Sequence, residues 1–219
     1  MNSKEAIAEE MDSQGDSQQS QDSVLTVIQE ERHEVLYFAY GSNLSTAQMR
    51  ARCPLSTAIG LGFLPRWRWI INSRGYANIL PPCSPCSSST TTTTTTTEDD
   101  DDGVYGLLYL LPPRDEESLD RFEGVPHAYE KLRCEVRWVR DGDGKLLAGE
   151  EGEEEEEEQK GRGEPVKALV YVDERRTEDG TPAKEYVGRM ERGIKDAVRN
   201  WGLDEGYANR VMRKWWTKV

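Results

Sequence analysis

The sequence is poor in the residues that most often carry nucleophilic or metal-assisted catalysis. Its 219 residues include four cysteines and two histidines. Cys83 and Cys86 form a Cys-x-x-Cys pair, but it stands in a low-complexity stretch without the strand and helix of a redox motif or the further ligand pair of a zinc site. A Ser-His-Asp triad would have to use His33 or His127, and the chain contains no Gly-x-Ser-x-Gly, Walker or Gly-x-Gly-x-x-Gly motif. These absences disfavour triad hydrolases, P-loop enzymes and dinucleotide-binding enzymes.

The sequence also lacks any long apolar run. Hydrophobic residues make up 36% of the chain, and no run approaches the roughly 20 residues that a membrane span requires. Residues 1–22 are polar and acidic, without the apolar centre of a secretory signal or the arginine-rich character of a transit peptide. We therefore expect a soluble, cytoplasmic protein that does not associate with membranes.

Positive charge is scarce in the chain as a whole. The formal net charge is −13, from 41 acidic residues against 28 Lys and Arg. Three low-complexity segments, 1–33, 83–102 and 141–164, hold 24 of the acidic residues and 5 of the basic ones, which leaves the remainder at +6. The expectation that the protein does not bind nucleic acid therefore rests on the absence of a binding motif rather than on net charge.

The composition of these three segments predicts disorder, because they contain too few apolar residues to offset the entropy of ordering. We interpret them as an acidic disordered tail (1–33) and two disordered insertions (83–102 and 141–164) in a single domain that spans residues 34–219. An alternative interpretation is that they are phosphorylated or bind a partner.

Short strands dominate the middle of this predicted domain and helices its end. Residues 128–140 alternate between apolar and charged side chains, which is typical of a half-buried antiparallel strand. Few β-α-β units are visible, so the pattern favours an α+β fold around a mostly antiparallel sheet or barrel. Strands are predicted over 35–40, 58–64, 67–72, 77–80, 104–111, 128–140 and 166–172, and helices over 45–52, 114–122 and most of 182–219.

One motif with candidate chemistry is Tyr37–Leu44 (YFAYGSNL). A strand that ends in Gly-Ser-Asn before a short helix exposes consecutive backbone N–H groups, which can hold a carboxylate or a developing oxyanion. An ordinary strand-to-helix turn with a Ser or Asn cap would show the same pattern.

The other motif is Leu119–Val125 (LDRFEGV). Leu119 and Phe122 are expected to face the core, which leaves Glu123 at the C-terminal end of a helix. The helix dipole and partial burial would both raise the pKa of the Glu123 carboxyl, as suits a proton shuttle near neutral pH. A solvent-facing glutamate in the last helical turn is the alternative.

The two motifs resemble the signature motifs of the γ-glutamyl cyclotransferase family. Tyr76–Ile79 and Val104–Tyr109 resemble two further strands of that family, in the matching order and spacing. The resemblance runs from about Val35 to Trp216 and steps over the two acidic insertions, which makes the chain similar to a fungal-type member. It implies a small mixed or antiparallel β-barrel with flanking helices.

The resemblance also implies an activity, that of a lyase in glutathione metabolism. Such an enzyme releases 5-oxoproline and a free amino acid or peptide from a γ-glutamyl substrate by intramolecular aminolysis, without metal or cofactor. Glu123 would be the proton acceptor and donor, and Asn43 and Tyr171 would lie beside the substrate. The substrate-binding residues implied are Tyr37, Phe38, Ala39, Tyr40, Gly41, Ser42 and Tyr186.

The resemblance leaves the exact substrate open. The form of the motif that contains Asn43 is more similar to the γ-glutamyl amino acid branch, whereas His127 departs from animal members and is a candidate to alter the choice of leaving group. One alternative is a cyclotransferase for glutathione-derived conjugates of a fungal secondary metabolite, and another is a non-enzymatic binding module on the same fold. The expected partner is a small γ-glutamyl molecule, and both monomer and homodimer stay open.

Overall fold

A barrel of five strands forms the centre of the molecule. The computed structural model describes residues 34–82, 103–139 and 162–216. The barrel strands are β1 (Val35–Ala39), β2 (Thr57–Pro65), β5 (Gly103–Leu111), β6 (Glu130–Val139) and β7 (Arg162–Val172), and β3 (Arg68–Ile71) and β4 (Ala77–Leu80) form a separate hairpin. The barrel order is β1-β5-β2-β6-β7, closed by a parallel contact between β7 and β1 while the other neighbours are antiparallel. The predicted α+β class with a mixed barrel is confirmed.

Most of the segments that composition predicts to be disordered lie outside the described residues, namely 1–33, 83–102 and 141–161. The exception is the end of the third segment, because β7 begins at Arg162 and residues 162–164 belong to a strand. Its pairing with β6 places Arg162 opposite Val139. Composition is an average over a window, whereas a strand extends for as long as its neighbour offers backbone partners.

Close packing of β1 against β5 forms part of the barrel core. Phe38 and Leu108 are opposite each other in the register and both are fully buried. A Cβ atom on Gly106 would lie 2.6 Å from the carbonyl oxygen of Ala39 and 2.8 Å from the ring of Phe38. Glycine at position 106 therefore allows the C-terminal end of β1 to lie directly against β5.

The hairpin of β3 and β4 is anchored to the segment that follows β7. The side-chain amide of Asn72 donates to the Asp173 carboxylate over 3.0 Å, and the N–H of Ala183 donates to the carbonyl of Gly75 over 3.1 Å. Gly75 has a φ of +87° in the turn, a backbone conformation that favours glycine. These bonds hold the turn of the hairpin in one place beside the barrel.

The helices of the described residues begin and end close to their predicted positions. Ser45 caps the first helix by accepting from the N–H of Gln48 over 3.3 Å, and Gly124 and Gly202 follow two helices with φ values of 67° and 74°. None of the helices in this part of the chain is long and apolar enough to cross a bilayer. The helices are α1 (Thr46–Arg52), α2 (Pro113–Glu123), α3 (Lys184–Trp201) and α4 (Glu205–Tyr207), the last continuing into a π-helical turn (Ala208–Met212) and a 3-10 turn (Arg213–Trp215).

Candidate active site

Glu123 is the last residue of α2, with the left-handed Gly124 directly after it. Leu119, one turn earlier, is fully buried and packs α2 onto the core. The side chain of Glu123 is 17% exposed, and it lines a cavity of about 310 Å³. The alternative of a solvent-facing glutamate is therefore excluded by its position.

Phe122 does not face the core, and that prediction is wrong. Its side chain is 54% exposed, and the Arg52 guanidinium lies over its ring at 4.9 Å from the centroid. Because three helical residues rotate by about 300°, Phe122 lies about 60° away from Leu119. That rotation carries the ring past the edge of the buried stripe to a place beside α1.

Asn43 joins the two sequence motifs. It lies in a 3-10 turn (Ser42–Leu44) directly after β1. Its side-chain nitrogen donates to the Glu123 carboxylate and to the Tyr37 hydroxyl, each over 3.0 Å, and its backbone carbonyl accepts from the hydroxyl of Tyr109 over 2.9 Å. Asn43 is 4% exposed, so the bond that orients Glu123 is itself held in a buried setting.

Two residues of α1 complete the surroundings of Asn43. Its side-chain oxygen accepts from Gln48 over 2.8 Å and from Arg52 over 3.0 Å. Gln48 and Arg52 are four residues apart and therefore share one face of α1. Arg52 also lies 3.7 Å from the carboxylate oxygen of Glu123, so among the described residues it is the nearest positive charge to that group.

These surroundings act on the pKa of Glu123 in opposite directions. Burial has the largest effect and raises the pKa above its ordinary value, because desolvation disfavours the charged carboxylate. Arg52 and the bond from Asn43 lower it, with smaller contributions from Arg189 and Arg74. A carboxyl whose pKa is raised in this way can accept and return a proton closer to neutral pH than an exposed glutamate can.

Tyrosines form much of the remaining wall of the cavity. Burial raises the pKa of Tyr37 and of Tyr40 well above their ordinary values, so both stay protonated. Tyr37 accepts from Asn43, and Tyr40 donates to the backbone carbonyl of Tyr171 over 2.6 Å. The hydroxyl of Tyr171 in turn donates to Asp120 over 2.6 Å.

Tyr186 connects α3 to the loop after β1. Burial raises the pKa of its hydroxyl, and the backbone of Ala77 and of Ser42 lowers it by a smaller amount. A Cβ atom on Gly41 would lie 3.0 Å from the same hydroxyl. Glycine at position 41 therefore lets the loop pass close to α3.

The structure brings most of the predicted site residues to one cavity. The two exceptions from the substrate-binding set are Phe38 and Ala39, which are 0% and 1% exposed and lie within the barrel rather than on the cavity wall. His127 is exposed and does not line the cavity either. The predicted residues that do line it are Tyr37, Tyr40, Gly41, Ser42, Asn43, Glu123, Tyr171 and Tyr186.

Three arginines on the cavity wall, Arg52, Arg74 and Arg189, were missed by the sequence analysis. The spacing of Gln48 and Arg52 on one helix face is a signal that could have indicated the first of them. Nothing local distinguishes the other two, because they come from the hairpin and from α3. Among residues 34–82, 103–139 and 162–216, no three His, Cys, Asp or Glu side chains gather in a way that could hold a metal ion.

Comparison with known proteins identifies a family whose sequence model matches this chain. A family model described as gamma-glutamyl cyclotransferase, AIG2-like, matches residues 37–187. The chain belongs to this family. The matched range begins at Tyr37 and includes both cyclotransferase motifs and Tyr186.

Solved structures agree with the cyclotransferase fold. An uncharacterized human protein is 21% identical, with a TM-score of 0.55 over 82% of this chain and 87% of its own. A gamma-glutamyl cyclotransferase is also 21% identical, with a TM-score of 0.55 over 81% of this chain and 86% of its own. No curated protein matches the chain by sequence. At 21% identity these similarities establish the fold but do not identify the substrate.

Proposed function

We propose that the protein catalyses the release of 5-oxoproline and a free amino acid or peptide from γ-glutamyl substrates. The observation that carries the proposal is the carboxylate of Glu123, held by Asn43 and Arg52 at the wall of a cavity of about 310 Å³. Membership of the cyclotransferase family supports the reaction class.

In this reaction the α-amino nitrogen of the substrate attacks its own γ-carbonyl carbon. A five-membered ring closes, the γ-amide C–N bond breaks, and the leaving nitrogen is protonated. Because the nucleophile is tethered to its target, orientation alone can supply about 7–11 kcal/mol of the barrier. What the protein must add is a proton acceptor for the ammonium group and a proton donor for the leaving amine.

Glu123 can act as both proton acceptor and proton donor. The attacking nitrogen must lose two protons to become the ring N–H, and the leaving nitrogen gains two to depart as an ammonium group. Glu123 can relay them one after the other, accepting each from the attacking nitrogen and delivering it to the leaving nitrogen, so the carboxylate is regenerated at the end of the cycle. The raised pKa favours this role, since a stronger base removes the ammonium proton more readily. The bond from Asn43 fixes the direction in which one carboxylate oxygen faces.

The test is mass-spectrometric detection of 5-oxoproline after incubation with γ-glutamyl-alanine, glutathione and γ-glutamyl-lysine. Wild type should release 5-oxoproline from at least one of them. Glu123→Gln keeps the shape of the side chain and its acceptor oxygen for Asn43, and it should lower kcat/KM by about 10²–10⁴-fold, the usual contribution of general acid–base catalysis.

Residual activity of Glu123→Gln above about a tenth of wild type would contradict the role of Glu123. Binding of γ-glutamyl-alanine without any product from wild type would contradict the enzymatic proposal as a whole, and would favour the non-enzymatic binding module. Thermal unfolding of the variant serves as the control that its fold is retained.

A further inference from the structure

Arg74 differs from the other two arginines of the cavity wall in its partners. Arg52 donates to Asn43 and lies beside Glu123. Arg189 donates to the hydroxyl of Ser42 over 2.9 Å and to the side-chain oxygen of Gln48 over 3.2 Å. The Nε of Arg74, by contrast, is buried and has no hydrogen-bond partner among the described residues.

The position of Arg74 is nevertheless well defined. Its backbone N–H donates to the side-chain oxygen of Asn72 over 3.1 Å, within the anchored turn of the β3–β4 hairpin. Its guanidinium lies 5.0 Å from the ring centroid of Tyr129 and 5.6 Å from that of Tyr76. Both rings line the cavity together with Arg74, so they hold the guanidinium, with its planar set of N–H donors, on the cavity wall.

The acidic partner of Arg74 is shared with other donors. Asp173 lies 3.6 Å from its Nε, which is longer than a hydrogen bond. The same carboxylate already accepts from Arg176 through both oxygens, over 3.0 and 3.2 Å, and from Asn72 over 3.0 Å. One carboxylate thus faces two arginines, Arg74 and Arg176, so Asp173 offsets only part of their positive charge.

We propose that Arg74 binds a carboxylate on the leaving part of the substrate. The site then selects γ-glutamyl α-amino acids and peptides, whose leaving amine carries a carboxylate, over γ-glutamyl amines that lack one. The inference rests on the proposed cyclotransferase function and identifies Arg74 as the residue that recognises the leaving group of the substrate. A planar guanidinium can donate two parallel hydrogen bonds to a carboxylate, which is a strong and directional contact.

The arrangement of charges indicates that Arg74 does not bind the carboxylate of the γ-glutamyl group itself. The α-ammonium group must reach Glu123, and the α-carboxylate is attached to the same carbon atom. That carboxylate therefore comes close to Arg52, which lies 3.7 Å from Glu123. Arg74 belongs to the hairpin, outside the barrel, and is left for the other carboxylate of the substrate.

The experiment compares two substrates that differ in one group, γ-glutamyl-alanine and γ-glutamyl-alanine amide. Wild type should turn over the acid with a kcat/KM about 10- to 100-fold above that of the amide, the usual range for hydrogen bonds to a charged group. Arg74→Met should reduce this ratio to about 1, and Arg74→Lys, which keeps the charge without the planar fork, should give an intermediate ratio. Any change in the pKa of Glu123 affects both substrates alike and cancels in the ratio.

Arg68→Met is the matched control. Arg68 lies on the same hairpin, is 58% exposed in an ion pair with Asp179, and does not line the cavity. The control removes one positive charge from the hairpin and should leave the wild-type ratio unchanged.

Two results would overturn the role of Arg74: equal turnover of acid and amide by wild type, or equal losses for both substrates in a folded Arg74→Met variant. If Arg74→Met does not fold, the ratio in Arg74→Lys decides the question. If wild type releases no 5-oxoproline from any substrate, the proposed function fails instead. The affinities of Glu123→Gln for the acid and the amide, measured by calorimetry, then test Arg74 separately, and equal affinities would overturn its role.

Discussion

The two sides of the cavity differ in how completely their polar groups are satisfied. On the barrel side, Asn43 uses its side-chain nitrogen and oxygen in four hydrogen bonds that include Glu123 and Arg52. On the hairpin side, Arg74 lies against aromatic rings and its Nε has no partner in the described part of the chain. The first side holds one carboxylate in a single orientation, and the second holds a cation whose nearest carboxylate, Asp173, is shared with Arg176.

With these two sides, one small cavity can combine catalysis with recognition. A proton-transfer group works best when its position is fixed before the substrate arrives, because then no reorganisation is required during the reaction. A recognition group works best when its hydrogen-bonding capacity is still free. Single substitutions on either side of the cavity test this difference.

Asn43→Leu should have the largest effect on stability. It removes all four side-chain bonds of Asn43 and leaves buried polar groups of Glu123, Tyr37 and Arg52 without that partner. We expect the free energy of unfolding to fall by about 2–4 kcal/mol, as measured in urea. The pKa of Glu123 should rise further, because the lowering bond from Asn43 is lost. A loss below about 1 kcal/mol would show that the barrel side does not depend on this residue.

Glu123→Gln should change stability in a pH-dependent way. The raised pKa of Glu123 means that the folded state binds its proton more tightly than the unfolded chain does. The stability of wild type should therefore fall as the pH rises through the ordinary pKa of glutamate, about 4.3, towards the folded-state value. The variant, which has no such charge to bury, should be the more stable protein at pH 8, and the two melting temperatures should converge below about pH 4.

A variant that is less stable than wild type at pH 8 would contradict this prediction. It would mean that the attraction between Glu123 and Arg52 outweighs the cost of burying the carboxylate.

Tyr129→Phe should have a smaller effect, on the hairpin side. It removes one hydrogen bond, from the buried hydroxyl of Tyr129 to the carbonyl of Ala77 over 2.8 Å, and keeps the ring under Arg74. The expected loss is about 0.5–1.5 kcal/mol in urea unfolding. A loss as large as that of Asn43→Leu would remove the distinction between the two sides.

Asp179→Asn should have the smallest effect. The pair of Arg68 and Asp179 spans 3.3 Å, but both side chains are more than half exposed, at 58% and 56%. Exposed ion pairs are screened by solvent, so we expect a change below about 1 kcal/mol. A larger loss would indicate that the hairpin depends on surface charge for its position.

Features that depend on neighbours along the chain could be predicted from the sequence. Gly124 marks the end of α2, which places Glu123 in the last helical turn, and the alternation over residues 128–140 predicts β6. Both patterns are local, because side-chain directions repeat every 3.6 residues in a helix and every two in a strand. The error at Phe122 has the same origin, since spacing does not give the width of the buried stripe.

Features that depend on distant neighbours could not be predicted in the same way. Asn43 and Glu123 are 80 residues apart along the chain and meet over 3.0 Å, while Phe38 and Ala39 belong to the signature motif and yet lie inside the barrel. Arg74 and Arg189 reach the same cavity from the hairpin and from α3. Strand register and helix packing decide these contacts.

The sequence by itself determined the order of the strands and helices and the two motifs that indicate the family. It also determined that Glu123 ends a helix, because the glycine that follows it ends the helix locally. Only the tertiary structure decided which charges surround that carboxylate, which motif residues lie inside the barrel, and that Arg74 reaches the cavity wall. The reason is physical: burial and electrostatic fields are summed over neighbours in space, and closure of the barrel decides which residues those neighbours are.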